Sequence, residues 1–177
     1  MLNRYVPSQG DNIVGVVIQK AGDIFKVDIG ASEPASLSYL AFEGATKRNR
    51  PDVQVGDIIY SKLLVASKDM ESELVCVDSF GKKGKLGVLN PNGILFSTSL
   101  SLVRKILKPD CPLLSLLSEE LKYELAIGLN GKIWIKSKNS VEDTIAIANA
   151  ILAAEYTAPS EYQNLCNSVL KSLAKLK

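Results

Sequence analysis

Gly128-Leu129-Asn130-Gly131 is the stretch of this chain whose residue types and spacing point to the most specific chemistry. Two glycines separated by two residues leave backbone N–H groups bare, and a loop of that form can clamp the phosphates of a nucleic-acid strand. Such a gripping loop joins two helices. Here Tyr123-Glu124-Leu125-Ala126-Ile127 precedes the glycines and Ile133-Trp134-Ile135 follows them, so both flanks are apolar, β-branched or aromatic. Asn-Gly between two such runs is the strongest short hairpin signal, since both residues tolerate positive φ. Gly128, Asn130 and Gly131 are therefore read as a structural hairpin turn, with a phosphate grip as the alternative.

No other constellation suggests reaction chemistry. The chain has no histidine, which removes His-based acid–base catalysis, Ser-His-Asp triads and Cys-His pairs. Cys76, Cys111 and Cys166 are three in number and lack motif spacing. They read as reduced thiols of an intracellular protein rather than as disulfides or a zinc site. Asp23, Asp28, Asp57 and Asp78 are the carboxylates to weigh for metal-dependent hydrolysis. Each falls at a predicted strand end or turn, where a carboxylate serves the backbone. The expectation is no catalytic residue, no metal ligand and no cofactor.

The elements that must position these residues change character midway. Asn12 to Gln19 is apolar and β-branched and turns at Ala21-Gly22-Asp23. From Ile24 to Ile29, Phe25, Val27 and Ile29 alternate with Lys26 and Asp28, as in a half-buried strand. Further strands are predicted at Ala35 to Leu40, Ile58 to Ala66 and Ser72 to Val77. Five short strands in about 80 residues fit a small closed barrel of the oligonucleotide-binding type. Gly81-Lys82-Lys83-Gly84-Lys85 then reads as a flexible basic linker, with a weak RNA contact as the alternative, and Asn90-Pro91-Asn92-Gly93 as a turn. Ile94-Leu95-Phe96 is a strand. Ser99 or Ser101 caps a helix to about Leu107, and Cys111-Pro112 opens another to about Lys122. After the two strands around Asn130-Gly131, Asn139 or Ser140 caps a long helix with Glu142 and Asp143 in its first turn. Ala146, Ala148, Ala150, Ala153 and Ala154 make that helix slender. A last helix starts at Pro159-Ser160, with Tyr162, Leu165, Val169 and Leu173 as its apolar stripe and Lys171, Lys175 and Lys177 suiting its C-terminal dipole.

The bulk numbers bound the partners. With 177 residues the chain can hold one large or two small domains. It carries 21 basic and 19 acidic residues for a net charge of +2, so RNA contact must come from local basic patches. Met1-Leu2-Asn3-Arg4-Tyr5 is not a signal peptide, and no apolar run approaches membrane-spanning length. The domains are placed at 1–80 for the barrel, 81–93 for linker and turn, and 94–177 for the second domain.

Strand, helix, helix, strand, strand, helix and one extra helix is the order of a eukaryotic-type KH domain. The gripping loop of that scheme would lie at Lys108-Pro109-Asp110-Cys111-Pro112, which has no glycine and two stiffening prolines. The normal KH grip is expected to be missing. An S1-type (OB-fold) all-β barrel followed by an α+β KH domain, with Gly-x-Asn-Gly-x-Ile-Trp-Ile at the strand turn, resembles the cap subunits of the eukaryotic RNA exosome. Gly22-Asp23-Ile24-Phe25-Lys26-Val27-Asp28-Ile29-Gly30, Ser32-Glu33-Pro34-Ala35-Ser36-Leu37-Ser38-Tyr39-Leu40 and Phe42-Glu43-Gly44-Ala45-Thr46-Lys47-Arg48-Asn49-Arg50-Pro51 narrow it to the forty-kilodalton ribosomal-RNA-processing branch. The match covers nearly the whole chain.

The resemblance implies a non-catalytic scaffold on a ring of ribonuclease-PH-like subunits. With other cap subunits it would frame a pore that leads single-stranded RNA to a separate 3'-5' exoribonuclease. It implies residence in the nucleus and nucleolus, and also in the cytoplasm. The family has a further small N-terminal domain, expected to be absent from this sequence because the barrel begins within the first dozen residues. S1 barrels present aromatics and a histidine for base stacking. Here Lys26 takes the exposed aromatic position of the second strand, and Ser36 takes the histidine position of the third. Weak, sequence-tolerant binding through Lys26, Lys47, Arg48 and Arg50 is expected, with a merely solvated loop as the alternative for the last three. Trp134 alternates with Ile133 and Ile135. It is read as an interdomain or subunit interface residue, with base stacking and a core role as alternatives. The competing functions are a free-standing S1/KH RNA-binding regulator, which would need an intact glycine loop, and a ribonuclease, which would need clustered carboxylates.

Overall fold

A computed structural model describes residues 4–176. The chain forms two compact units. The first runs to Pro91 and takes in Ile127–Lys132; the second holds Asn92–Ala126 and the residues from Ile133 onward. The turn at 127–132 thus counts with the first unit, although its sequence position lies inside the expected second domain, 94–177.

The first unit is a barrel of β1 (Asn12–Ala21), β2 (Ile24–Asp28), β3 (Ala35–Phe42), β4 (Ile58–Val65), β5 (Glu73–Cys76) and the two-residue β6 (Gly87–Val88). The strand order is β1-β2-β3-β5-β4-β6, and pairing of β1 with β4 closes it. Only the β3–β5 pair is parallel. The period-2 pattern fixes which face goes inward. On β2, Phe25 and Val27 are buried, Lys26 is half-buried, and Ile24 and Asp28 are exposed. Ile13, Val17, Ile29, Leu37, Ile59 and Leu63 complete the interior with them. The five expected strands occur within one or two residues of their expected ends.

In the segment 81–93 the expected turn is present at 91–93, but the part before it holds a strand that was not expected. There β6 pairs with β4 through Ile59–Val88 and Tyr60–Gly87, and the Leu89 amide donates to Ile58 O at 2.8 Å. Two residues are too few for a hydrophobic period to register.

The second unit follows β7 (Ile94–Ser97), α1 (Leu100–Ile106), α2 (Leu113–Glu120), β8 (Tyr123–Ile127), β9 (Lys132–Ser137), α3 (Val141–Ala153) and α4 (Tyr162–Leu176). This is the expected element order, with a three-stranded sheet ordered β7-β9-β8. Ser99 and Ser140 are the helix caps, accepting from the amides of Leu102 at 3.1 Å and Asp143 at 3.2 Å. Glu142 and Asp143 occupy the first turn of α3, where the helix dipole favours acids. Two short 3-10 turns precede α4, which packs on α2 and α3 through the buried Tyr162, Cys166 and Leu173. Leu165 and Val169 are half-buried. Lys175 stands in the last turn of α4; Lys177 lies outside the described residues. No helix among the described residues is long and apolar enough to cross a membrane.

Candidate nucleic-acid interface

The 128–131 turn is a structural device, and its residues work differently from a simple Asn-Gly hairpin. Gly131 has φ +82°, and no residue other than glycine has positive φ among the described residues. Asn130 therefore does not use the left-handed freedom that the sequence reading gave it. The Gly131 amide donates to Gly128 O at 3.0 Å and the Gly128 amide to Lys132 O at 2.8 Å, a turn that ends on one left-handed glycine. Asn130 turns its side chain into the first unit instead. Its Nδ2 donates to Val14 O at 2.7 Å and Ile29 O at 2.9 Å, and its Oδ1 accepts from the Val14 amide at 3.2 Å. The β1–β2 ladder ends at Val16–Asp28. The Asn130 amide group takes up backbone groups just past that end, as a short extra strand would.

Gly128 is required for space rather than for φ. A Cβ there would collide with Asn130 Oδ1 and come within 2.7 Å of the Val14 nitrogen. The Leu129 amide donates to Asn12 O at 2.9 Å, so a second backbone point ties the turn down. With Asn130 only 7% exposed and these amides engaged, the loop has no row of bare N–H groups for a phosphate.

The four basic candidates separate into two pairs. Lys26 ion-pairs with Glu71. Arg50 Nη1 lies 3.2 Å from Asp23 Oδ1, and its guanidinium stacks 4.4 Å from the Tyr39 ring centroid. Each of these two cations faces a carboxylate, which partly offsets its pull on a phosphate. Lys47 and Arg48 are exposed and make no salt bridge among the described residues. Their loop has internal order: the Asn49 amide donates to Thr46 Oγ1 at 3.0 Å and the Thr46 amide to Asn49 O at 3.0 Å. Ser36 is half-buried and bound to Ser72 O through its amide, at 2.8 Å.

The acids sit where turn chemistry wants them. Asp28 Oδ1 accepts from the Gly30 amide at 2.9 Å, and Asp57 Oδ2 from the Gln54 amide at 2.9 Å. Asp78 Oδ1 accepts from the amides of Phe80 at 2.8 Å and Lys82 at 2.9 Å. Those two amides, Lys82 first, hold the Asp78 carboxyl below the usual carboxylate range. Glu43 Oε2 accepts from the Lys83 amide at 2.9 Å, and its Oε1 lies 3.4 Å from Lys82 Nζ. That amide is the main cause of the lowered Glu43 pKa. The segment Asp78 to Lys83 is thus pinned to the end of β3. Sequence reasoning missed this, although Asp-Ser-Phe-Gly carries a turn signal of its own. No group of three or more metal-ligating side chains occurs among the described residues.

A family model described as exosome complex component RRP40, S1 domain, matches residues 5–87, and a KH domain model matches residues 93–141. The chain is 52% identical to exosome complex component RRP40 of Mus musculus, over 92% of this chain and 59% of that protein. It is also 52% identical to the component of that name in Drosophila melanogaster, over 94% of this chain and 71% of that protein. The chain belongs to the RRP40 family. It spans 59–61% of the length of the mouse, bovine and human RRP40 proteins it matches. A solved structure described as a candidate exosome complex RNA-binding protein shares the fold, with TM-score 0.77 over 99% of this chain and 100% of that one at 22% identity.

The KH match in this RRP40-family chain does not bring a KH grip with it. Between α1 and α2 the Cys111 amide donates to Lys108 O at 3.0 Å, and Pro109 and Pro112 stiffen the connection. Trp134 lies in the interior of the folded chain. It is 3% exposed, and within the second unit its indole lies on Gly93. A Cβ on Gly93 would collide with the indole nitrogen and come within 2.8 Å of Ile135 O. A side chain so buried presents no ring face to a base or to another subunit, which leaves a contact within the chain as its role. Alternation misled because β9 is the middle strand of its sheet, with Ile133, Trp134 and Ile135 all buried. Three consecutive large apolar residues were the sign of a strand covered on both faces.

Proposed function

We propose that this chain is a non-catalytic, RNA-binding cap and scaffold component of an exosome complex. It helps to frame the pore and guides single-stranded RNA to a separate 3'-5' exoribonuclease. The observation that carries this reading is 52% identity to exosome component RRP40 across 92–94% of the chain, through both the S1 and the KH modules. Its ring partners are ribonuclease-PH-like subunits with further cap subunits beside it, and its place is the nucleus and nucleolus as well as the cytoplasm. The RNA contact is electrostatic and sequence-tolerant, because Lys47 and Arg48 remain exposed while the strand positions that would stack bases hold Lys26 and Ser36. A free-standing regulator reading is not favoured, since it requires the glycine loop that the α1–α2 connection lacks.

Reconstitution with ring and cap subunits, followed by protein–RNA cross-link mapping, tests the proposal. Incorporation into the assembly and cross-links in the first unit are expected. Failure to assemble would overturn the scaffold role, and RNA cleavage that tracks with the purified chain would overturn the non-catalytic one.

A further inference from the structure

The segment after β5 carries an exposed aromatic ring among lysines on a fixed backbone. Phe80 is 85% exposed. Lys82, Lys83 and Lys85 follow it, with no acidic residue between Phe80 and Lys85. A solvated tail would explain the lysines, but this stretch is held at several points. Asp78 Oδ1 caps the Phe80 and Lys82 amides, and the Asp78 amide donates to Lys82 O at 2.7 Å. The Gly81 amide donates to Asp78 O at 3.0 Å, with Gly81 at φ +75°. Glu43 holds the Lys83 amide and faces Lys82 Nζ. The Phe80 ring is therefore presented from a closed turn while its own surface stays in water.

We propose that Phe80 is a base-stacking platform for single-stranded RNA, with Lys83 and Lys85 holding the flanking phosphates. This rests on the RNA-binding reading above and assigns a place to it. Every base has a π-face, so one exposed ring binds RNA without reading sequence, and adjacent cations supply the backbone term. Glu43 extends the surface: it anchors this segment and also opens the loop that carries Lys47 and Arg48. The Phe80 turn and the 47–48 cations thus share a root at the end of β3. A protein partner is the less fitting occupant, because lysine is depleted at protein–protein contacts while aromatics are enriched there, and here lysines dominate the patch.

Fluorescence anisotropy of the full chain with labelled 12-nucleotide oligo(U) and oligo(A), over a series of KCl concentrations, is the test. Phe80→Ala should weaken both RNAs by about 5- to 150-fold, the range of one lost base stack, and leave the salt slope unchanged. Lys83→Gln with Lys85→Gln should instead lower the single-strand salt slope by about 1.4. Phe80→Trp should keep the affinity, and its emission should be quenched by RNA; the native tryptophan, Trp134, is buried and serves as a silent background. The exposed ring makes thermal melting of all these variants equal to that of the parent. Parental binding with an unaffected Phe80→Ala and an unquenched Phe80→Trp would overturn the platform and leave the RNA reading standing. No RNA binding by the parent would overturn both. Loss of another subunit from the assembly on Phe80→Ala, at unchanged RNA affinity, would make the patch a protein contact and overturn the platform.

Discussion

Replacing Asn130 separates two accounts of the 128–131 turn. If asparagine is there for turn propensity, Asp in its place is nearly neutral, since Asp-Gly makes hairpin turns as Asn-Gly does. If it is there to bridge backbone groups, Asp fails. The bridge consists of two donations, to Val14 O at 2.7 Å and Ile29 O at 2.9 Å, and one acceptance from the Val14 amide at 3.2 Å. Asn130→Ala removes all three. At about 1 kcal/mol net for each hydrogen bond, the loss is about 3 kcal/mol. Asn130→Asp keeps the acceptor but turns a carboxylate oxygen toward two carbonyl oxygens, so it should cost at least as much as alanine. For a chain of this size about 3 kcal/mol corresponds to a fall of roughly 6–12 °C in Tm. Scanning calorimetry of the three proteins at neutral pH reads this directly. An Asn130→Asp protein melting within about 1 °C of the parent, which is well under 1 kcal/mol, would refute the bridge and return the residue to an ordinary turn role.

The remaining predictions concern the same turn, the basic loop and the Asp78 cap. Gly131→Ala should cost about 1 kcal/mol, because alanine resists positive φ. Gly128→Ala should cost more in the same melting assay, since its Cβ meets Asn130 and the Val14 nitrogen. Lys47→Ala with Arg48→Ala should weaken RNA binding by the assembled complex alike for all sequences and lower the single-strand salt slope by about 1.4. Adding Arg50→Ala should change the slope little further, because Asp23 already balances that charge, and instead destabilise the barrel by about 0.5–1 kcal/mol through loss of the Tyr39 stack. The Asp78 pKa is depressed in the folded chain. Its cap is therefore intact above the ordinary aspartate pKa and is lost as pH falls through the lower folded value. Hydrogen-exchange protection of the Phe80 and Lys82 amides, corrected for the intrinsic pH dependence of exchange, should drop in that acid window while the β2 amides stay protected. Equal behaviour of both sets would reject the cap.

Elements were legible where one residue type answers to one local rule. Alternation of Phe25, Val27 and Ile29 gave β2 and its inward face, and Ser99 and Ser140 gave the starts of α1 and α3. The Asn-Gly pair gave the place of the hairpin turn. What stayed hidden depends on partners far away in sequence. Asn130 looks like a turn former because its neighbours are local, while its hydrogen bonds run to Val14 and Ile29, more than a hundred residues earlier. Lys26 and Arg50 look like free cations until the β5 approach brings Glu71 beside one and the β1–β2 turn brings Asp23 beside the other. The same blindness works in the opposite direction at 81–85. A run of glycine and lysine looks mobile because mobility is what composition alone encodes, and its order comes from one carboxylate at the end of β3 and another at its own start. Charge counted along the sequence does not show that Lys26 and Arg50 face carboxylates, nor that the lysines beside Phe80 stand on a fixed turn. The candidate RNA surface of this chain is set by which cations the fold leaves unpaired, and that follows from the pairing of loops rather than from the number of lysines.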